Sequence, residues 1–200
     1  MYVIGLTGQI ASGKTTLANF LKVKGAIVIS ADSIGHAVLE RPEIKEAVVK
    51  AFGADVLDND EVDRPKLAEK VFSSKEELER LNRIMWPPIV ETIKEELKVF
   101  ARTLPATEIV VIDAPLLLEA GLDQCTGLVV IVSATYEKQL ERLMAKGYSE
   151  DQAKARMEMR PINEEMLKKS DYTISNNANL ETLEQKAEEL WHFIKAQNAL

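Results

Sequence analysis

The sequence predicts an α/β fold, a parallel sheet flanked by helices, with a helical insertion and a small helical flap. Three observations carry that prediction. Short runs rich in β-branched residues alternate with stretches of helical periodicity. The first run leads straight into Gly8-Gln9-Ile10-Ala11-Ser12-Gly13-Lys14-Thr15, which fits G-x(4)-G-K-[ST] in its strand-loop-helix setting. The alternation then lapses between about Arg64 and Leu104, where only helical patterns occur. At 200 residues the chain is one domain, against a typical size of about 150. Its 46% hydrophobic share is enough for a core and excludes intrinsic disorder.

The expected strands are Tyr2–Leu6, Ala26–Ile29, Ile109–Ile112, Leu128–Val132 and Tyr172–Ile174. None alternates apolar with polar, so each is read as buried on both faces, as in a parallel sheet. Leu17, Phe20 and Leu21 mark a helix after the first strand, stopped at Gly25. In the insertion, Lys66–Phe72, Lys75–Met85 and Ile89–Arg102 read as helices. Trp86-Pro87-Pro88 is expected to separate the last two, because proline does not continue a helix interior. A charged helical stretch, Ser149–Arg160, lies between Lys146-Gly147 and Pro161. Leu180, Leu183, Ala187, Leu190, Trp191 and Ile194 form a C-terminal apolar stripe. The expected division is one domain, 1–200. Its core is about 1–60, 105–140 and 170–200, the helical insertion about 61–104 and the lid about 141–169.

Charge and cysteine usage narrow the function. With 25 basic and 32 acidic residues the net charge is −7, which argues against a nucleic-acid binder. The single cysteine, Cys125, forms neither an internal disulfide nor a cysteine-only zinc site, which fits a reducing compartment. The first residues lack a basic signal region, and no apolar stretch nears the roughly 20 residues of a membrane span. The expectation is a cytoplasmic protein with no membrane and no nucleic-acid partner, a monomer or weak homo-oligomer. His36 and His192 stand apart and are read as structural or exposed. Met144, Met157, Met159 and Met166 are read as adaptable packing near the lid.

The glycines of the 8–15 loop let backbone N–H groups face a phosphate, and the helix behind adds its positive end. Lys14 is then expected to reach the β- and γ-phosphates of a nucleoside triphosphate, and the Thr15 hydroxyl to coordinate Mg²⁺. Asp113, closing the strand Ile109–Ile112, is a second candidate for the metal. A GTPase switch requires D-x-x-G after that strand and an N-K-x-D, and neither occurs. A motor ATPase usually needs a longer chain. What remains is a small-molecule kinase with an acceptor pocket and a water-excluding lid. A nucleotide-binding regulatory module is the alternative of a different class. Cations gather in the lid at Arg142, Lys146, Lys154, Arg156, Arg160, Lys168 and Lys169. Of these, Arg142, Lys146 and Arg156 are candidates for phosphate or adenine contact, and Lys154, Lys168 and Lys169 for a solvated face.

Taken together, these residues resemble the dephospho-coenzyme A kinase family, a family of P-loop nucleoside triphosphate hydrolase-type fold. The resemblance runs through Ile4–Thr16, Val28–Asp32, Phe52-Gly53, Asp63-Arg64 with Leu67-Ala68 and Val71-Phe72, and Asp113 with Pro115-Leu116-Leu117 and Glu119. It continues through Gln139 with Arg142 and Asp171-Tyr172 with Asn176, so it covers about residues 3 to 190. It implies ATP-dependent phosphorylation of the ribose 3′-hydroxyl of dephospho-coenzyme A, the last step of coenzyme A synthesis, with ATP and Mg²⁺ as cofactors. A similar kinase for a nucleoside, nucleotide or other metabolite is the runner-up. The nucleotide set implied is Gly8, Ala11, Ser12, Gly13, Lys14, Thr15 and Thr16, with Arg142, Lys146, Arg156 and Asn176. Asp32, Arg64, Pro115 and Leu116 would meet the acceptor, and Thr15 and Asp113 the metal. Asp32, Lys14 and Arg142 would be catalytic, with Asp32 as base; the plain alternative for Asp32 is an N-cap of the helix starting near Ser33. Five positions depart from the family pattern: Ser30 replaces a second Asp, Trp86 a His, Lys146 an Arg, Arg160 a Gln and Ala11 a loop glycine.

Overall fold

The structure, a computed structural model, describes every residue except 73, 159–161, 163, 199 and 200. The expectations for Met159, Arg160 and Pro161 fall outside the described residues. The chain forms two compact units, Met1–Ser30 with Val99–Leu200, and Ala31–Lys98.

The first unit is built on a parallel sheet of five strands: β1 (Tyr2–Gly8), β2 (Ile27–Ser30), β5 (Ile109–Asp113), β6 (Leu128–Ser133) and β7 (Tyr172–Ser175). Their order across the sheet is β2-β5-β1-β6-β7, and every pairing is parallel. All five expected strands are present, and β5 is buried along its whole length, which is why it carries no polar alternation. Helices α1 (Lys14–Val23) and α9 (Leu180–Asn198) contribute Leu17, Leu21, Leu183, Leu190 and Ile194 to one core cluster with Ile4, Leu6, Val111 and Val130 of the sheet. Leu180, expected in that stripe, is 62% exposed. It opens α9, and its helical spacing alone does not bury it. Three further helices, α6 (Tyr136–Ala145), α7 (Glu150–Glu158) and α8 (Glu164–Lys168), follow β6. The winding reverses at β1: the chain leaves it through α1 towards β2, while β6 and β7 add on its other side. Ligands in open α/β sheets collect beyond the C-terminal strand ends at such a reversal. Here those ends are Gly8 of β1 and Asp113 of β5.

The second unit holds α2 (Ala31–Leu39), α3 (Pro42–Phe52), α4 (Arg64–Val71) and most of α5 (Lys75–Thr103). It also holds a short hairpin, β3 (Leu57–Asp58) and β4 (Glu61–Val62), which no sequence pattern announced. Asn59 and Asp60 both take positive φ, 48° and 66°, as a two-residue turn of the favoured hairpin hand requires. Its core gathers Val38, Val48, Phe52, Val56, Leu67, Val71 and Met85. Asp63 caps α4, its Oδ1 accepting from the Lys66 N–H at 2.9 Å.

The expected break at Trp86-Pro87-Pro88 is not there. α5 runs unbroken for 29 residues through both prolines. Each proline deprives the helix of one N–H donor, and its ring crowds the preceding turn. Apolar anchoring on both sides outweighs that: Leu81, Ile84 and Met85 before the prolines and Ile89 after them pack into the same core. Thr92 adds a tie, donating to the Pro88 carbonyl at 2.8 Å and accepting from Arg41 Nη2 at 2.8 Å.

Candidate functional site

The loop between β1 and α1 is shaped by close approaches. A Cβ on Gly8 would run into the Val132 carbonyl of β6, and one on Gly13 into the Asn176 side chain. Gly13 also has φ 97°, which suits glycine. The Ser12 N–H turns back to the Gln9 carbonyl at 3.2 Å, and the Gln9 N–H reaches the Val132 carbonyl at 3.4 Å. Ala11 sits at φ 56°, a region where a Cβ costs roughly 1–2 kcal/mol. Its methyl is not idle. With Ile10, Leu140 and Tyr148 it packs against Leu143, Ala153 and Met157 of α6 and α7.

At the start of α1 the backbone N–H groups of Gly13, Lys14, Thr15 and Thr16 find no acceptor among the described residues. Such a row, at the positive end of a helix, is a seat for an anion. Beside it the Lys14 ammonium forms an ion pair with Asp113 Oδ1, and the two residues are only 9% and 7% exposed. Asp113 is placed by the sheet, in register with Leu6 of β1 and Ser30 of β2. Thr15 is exposed, and its hydroxyl makes no hydrogen bond among the described residues. A hydroxyl and a carboxylate are hard oxygen donors of the kind Mg²⁺ prefers. The described residues contain no group of three or more His, Cys, Asp or Glu that could cage a metal.

Arg142 and Asn176 are engaged with the loop's own backbone. Arg142 Nη1 donates to the Ala11 and Ser12 carbonyls at 3.1 and 3.3 Å, and Nη2 to the Asn176 carbonyl at 2.9 Å. The buried Asn176 amide donates to the Ser12 carbonyl at 2.7 Å. Lys146 is exposed at the end of α6, and the Arg156 guanidinium lies 4.5 Å from the centre of the Tyr148 ring. Pro115 and Leu116 are half-buried immediately after β5, and the Pro115 carbonyl accepts from Thr7 Oγ1 at 2.8 Å. The first unit therefore brings together Gly8, Ala11, Ser12, Gly13, Lys14, Thr15, Thr16, Asp113, Arg142 and Asn176.

Asp32 and Arg64 belong to the second unit. Asp32 is exposed and makes no hydrogen bond or ion pair among the described residues. The helix it was expected to cap begins earlier, at Ala31, directly after β2. Asp32 thus stands inside the first turn of α2, two residues past the capping position at Ser30, where its charge still complements the helix dipole. Arg64 is exposed at the start of α4. Two residues escaped the sequence reasoning as supports of the loop. Gln9 Oε1 accepts from the Ala134 N–H at 3.2 Å, and the buried Gln139 Nε2 donates to the Ala134 carbonyl at 2.9 Å. Gln9 occupies a variable position of the loop motif, so no pattern could single it out.

Comparison with known proteins gives a consistent result. A family model described as dephospho-CoA kinase matches residues 2–182. The dephospho-CoA kinase of Fusobacterium nucleatum is 38% identical over 188 residues, covering 93% of this chain and 95% of that protein. The Corynebacterium efficiens enzyme of the same name is 40% identical over 195 residues, covering 95% and 96%. The solved structure of a dephospho-CoA kinase from Campylobacter jejuni matches with a TM-score of 0.71 at 27% identity, covering 98% of each chain.

Proposed function

The chain belongs to the dephospho-CoA kinase family, and from that premise we propose that it phosphorylates the ribose 3′-hydroxyl of dephospho-coenzyme A with ATP. The products are coenzyme A and ADP, and the step completes coenzyme A synthesis. The observation that carries the reading is the row of four unpartnered N–H groups at Gly13–Thr16 beside the buried Lys14. It suits the triphosphate of ATP.

In the reaction a bond forms between the ribose 3′-oxygen and the γ-phosphorus, and the bond to the β–γ bridging oxygen breaks. The hydroxyl proton passes to a base, and ADP leaves. Asp32 is our candidate for that base: its carboxylate is exposed, unpartnered and two residues beyond the end of β2. Phosphoryl transfer depends mostly on positioning and charge neutralisation, so an ordinary carboxylate suffices. Lys14 is proposed to exchange Asp113 for the β- and γ-phosphates. Thr15 and Asp113 would hold Mg²⁺, which when bound neutralises phosphate charge. We assign the nucleotide to Gly8 and Ala11–Thr16, with Lys146 and Arg156 as lid cations, and the acceptor to Asp32, Arg64, Pro115 and Leu116. The helical region 61–104 is proposed to receive the acceptor and 141–169 to act as a lid.

Among the described residues no helix is long and apolar enough to cross a membrane. We propose a cytoplasmic enzyme, monomeric or weakly self-associating, with a small-molecule partner; the acidic charge balance weighs against nucleic acid. The test is ADP release from Mg-ATP with dephospho-coenzyme A, AMP, adenosine, shikimate or water as acceptor. Strong selectivity for dephospho-coenzyme A is expected. A different preferred acceptor would overturn the substrate assignment, and binding of ATP without acceptor-dependent release would indicate a regulatory module.

A further inference from the structure

A phosphate-binding loop works only if its N–H groups point inward, which obliges its carbonyls to point outward. Carbonyls left buried and unpaired would destabilise the loop, and carbonyls turned inward would repel phosphate. The question is therefore what receives the outward carbonyls at the tightest part of the loop. Two peptide units are held there: the Ala11 carbonyl by Arg142, and the Ser12 carbonyl by Arg142 and Asn176 together. Arg142 also holds the Asn176 carbonyl, so the two partners brace each other.

We propose that Arg142 and Asn176 are positioning residues that act on ATP through the phosphate loop, by pinning the Ala11 and Ser12 carbonyls outward. This rests on the reading of the 8–15 loop as the ATP site, and it differs from assigning Arg142 and Asn176 to the nucleotide itself. The Ser12 carbonyl shares its peptide unit with the Gly13 N–H, one of the four free donors. Drawing on that carbonyl with a guanidinium and an amide fixes the direction of the N–H and polarises it, strengthening it as a donor. The fork of Arg142 holds the Ala11 and Ser12 carbonyls through Nη1 and the Asn176 carbonyl through Nη2, a two-nitrogen geometry a lysine ammonium cannot copy. Arg142 lies in the last turn of α6, inside the proposed lid. Loop and lid are thereby tied by polar contacts as well as by the Ala11 methyl.

The test uses the full-length protein and does not depend on turnover. Amide hydrogen exchange of Gln9 and Ser12, the loop N–H groups that have acceptors, is measured without nucleotide in wild type, Arg142→Ala, Arg142→Lys and Asn176→Ala. The expected result is roughly tenfold faster exchange in the two alanine variants and an intermediate rate in Arg142→Lys. ATP Kd, read by calorimetry, rises by a similar factor in each alanine variant. The rise in the double variant falls well short of the product of the two, because both act on the Ser12 carbonyl. In steady state the KM for ATP rises while the KM for the acceptor holds. Unchanged exchange in the nucleotide-free variants would overturn the proposal, even where ATP affinity fell, since that would mean direct contact with nucleotide. Multiplicative effects of the two alanine substitutions on Kd would overturn it as well. Should Arg142→Ala not fold, Asn176→Ala and Arg142→Lys decide the matter on the same readouts. If wild type itself failed to bind ATP, the reading of the site would fall while the exchange comparison stood.

Discussion

Removing the Asp113 carboxylate should destabilise the nucleotide-free protein and, in the same stroke, enlarge the stabilisation that ATP confers. Lys14 and Asp113 form an ion pair with side chains only 10% and 9% exposed. At a contact distance of about 3 Å and an effective dielectric near 20, their attraction is about 5 kcal/mol. Much of that is offset by desolvation, but Asp113→Asn leaves an ammonium buried without its counter-charge. Broken buried pairs typically cost about 3–5 kcal/mol. With part of the pair still open to water, about 3 kcal/mol is expected, which for a chain of this size lowers Tm by about 6–12 °C. Lys14→Met should cost a similar amount by stranding the carboxylate. The double variant, which removes both charges, should recover most of the loss. ATP added in EDTA supplies negative charge without metal, so it should raise the Tm of Asp113→Asn by more than that of wild type. It should do least for Lys14→Met. The assay is thermal and urea denaturation of the four proteins with and without ATP. Single-variant losses below 0.5 kcal/mol, taken as an order-of-magnitude cut-off for a surface substitution, would refute the reasoning. So would a double variant as unstable as the sum of the singles.

Three other outcomes follow from the same structure. Asp32→Asn should lower kcat by roughly 10²–10⁴-fold, the usual scale of a lost general base, while ATP Kd stays near wild type; kcat within threefold of wild type, roughly 0.6 kcal/mol, would rule out proton acceptance by Asp32. Pro87→Ala should raise the unfolding free energy read from urea denaturation by about 1–3 kcal/mol, because it restores a helix donor that packing had made dispensable. A loss of stability would show that the proline shapes the helix productively. Hydrogen bonding from Lys70 holds the exposed Asp55 carboxyl below its ordinary value. The unfolded chain therefore binds more protons as pH falls, and the stabilisation is present at neutral pH and lost from about pH 4 downward. Asp55→Asn should accordingly be less stable than wild type at pH 7 and converge with it in acid, with high salt shrinking the gap; a difference independent of pH would point to packing.

What the sequence revealed and what it hid divide along physical lines. Parallel strands such as β5 are buried on both faces, so they leave continuous apolar runs that a linear reading detects. The 8–15 loop was legible because its residues fit the local pattern G-x(4)-G-K-[ST], and the φ of Gly13 is one that glycine meets without cost. The prolines of α5 misled because a local rule about hydrogen bonding was outweighed by apolar contacts on both sides. The hairpin at 57–62 has strands of two residues each, too short for any period to register. At the site, Lys14 and Asp113 were each recognisable by type and position, but not as partners across 99 residues of chain. Arg142 attracted attention as a cation beside a phosphate loop. Its engagement with backbone carbonyls 130 and 131 residues away is set by tertiary packing and leaves no trace in local sequence.

The most direct measurement follows the phosphorus itself. Wild-type protein, Mg-ATP and an equimolar amount of dephospho-coenzyme A are incubated and observed by phosphorus NMR, with Asp32→Asn in parallel. The account predicts one new 3′-phosphomonoester for each ADP formed, at a rate that collapses in Asp32→Asn. ADP accumulating with free phosphate, or with phosphate on any other hydroxyl, would contradict it.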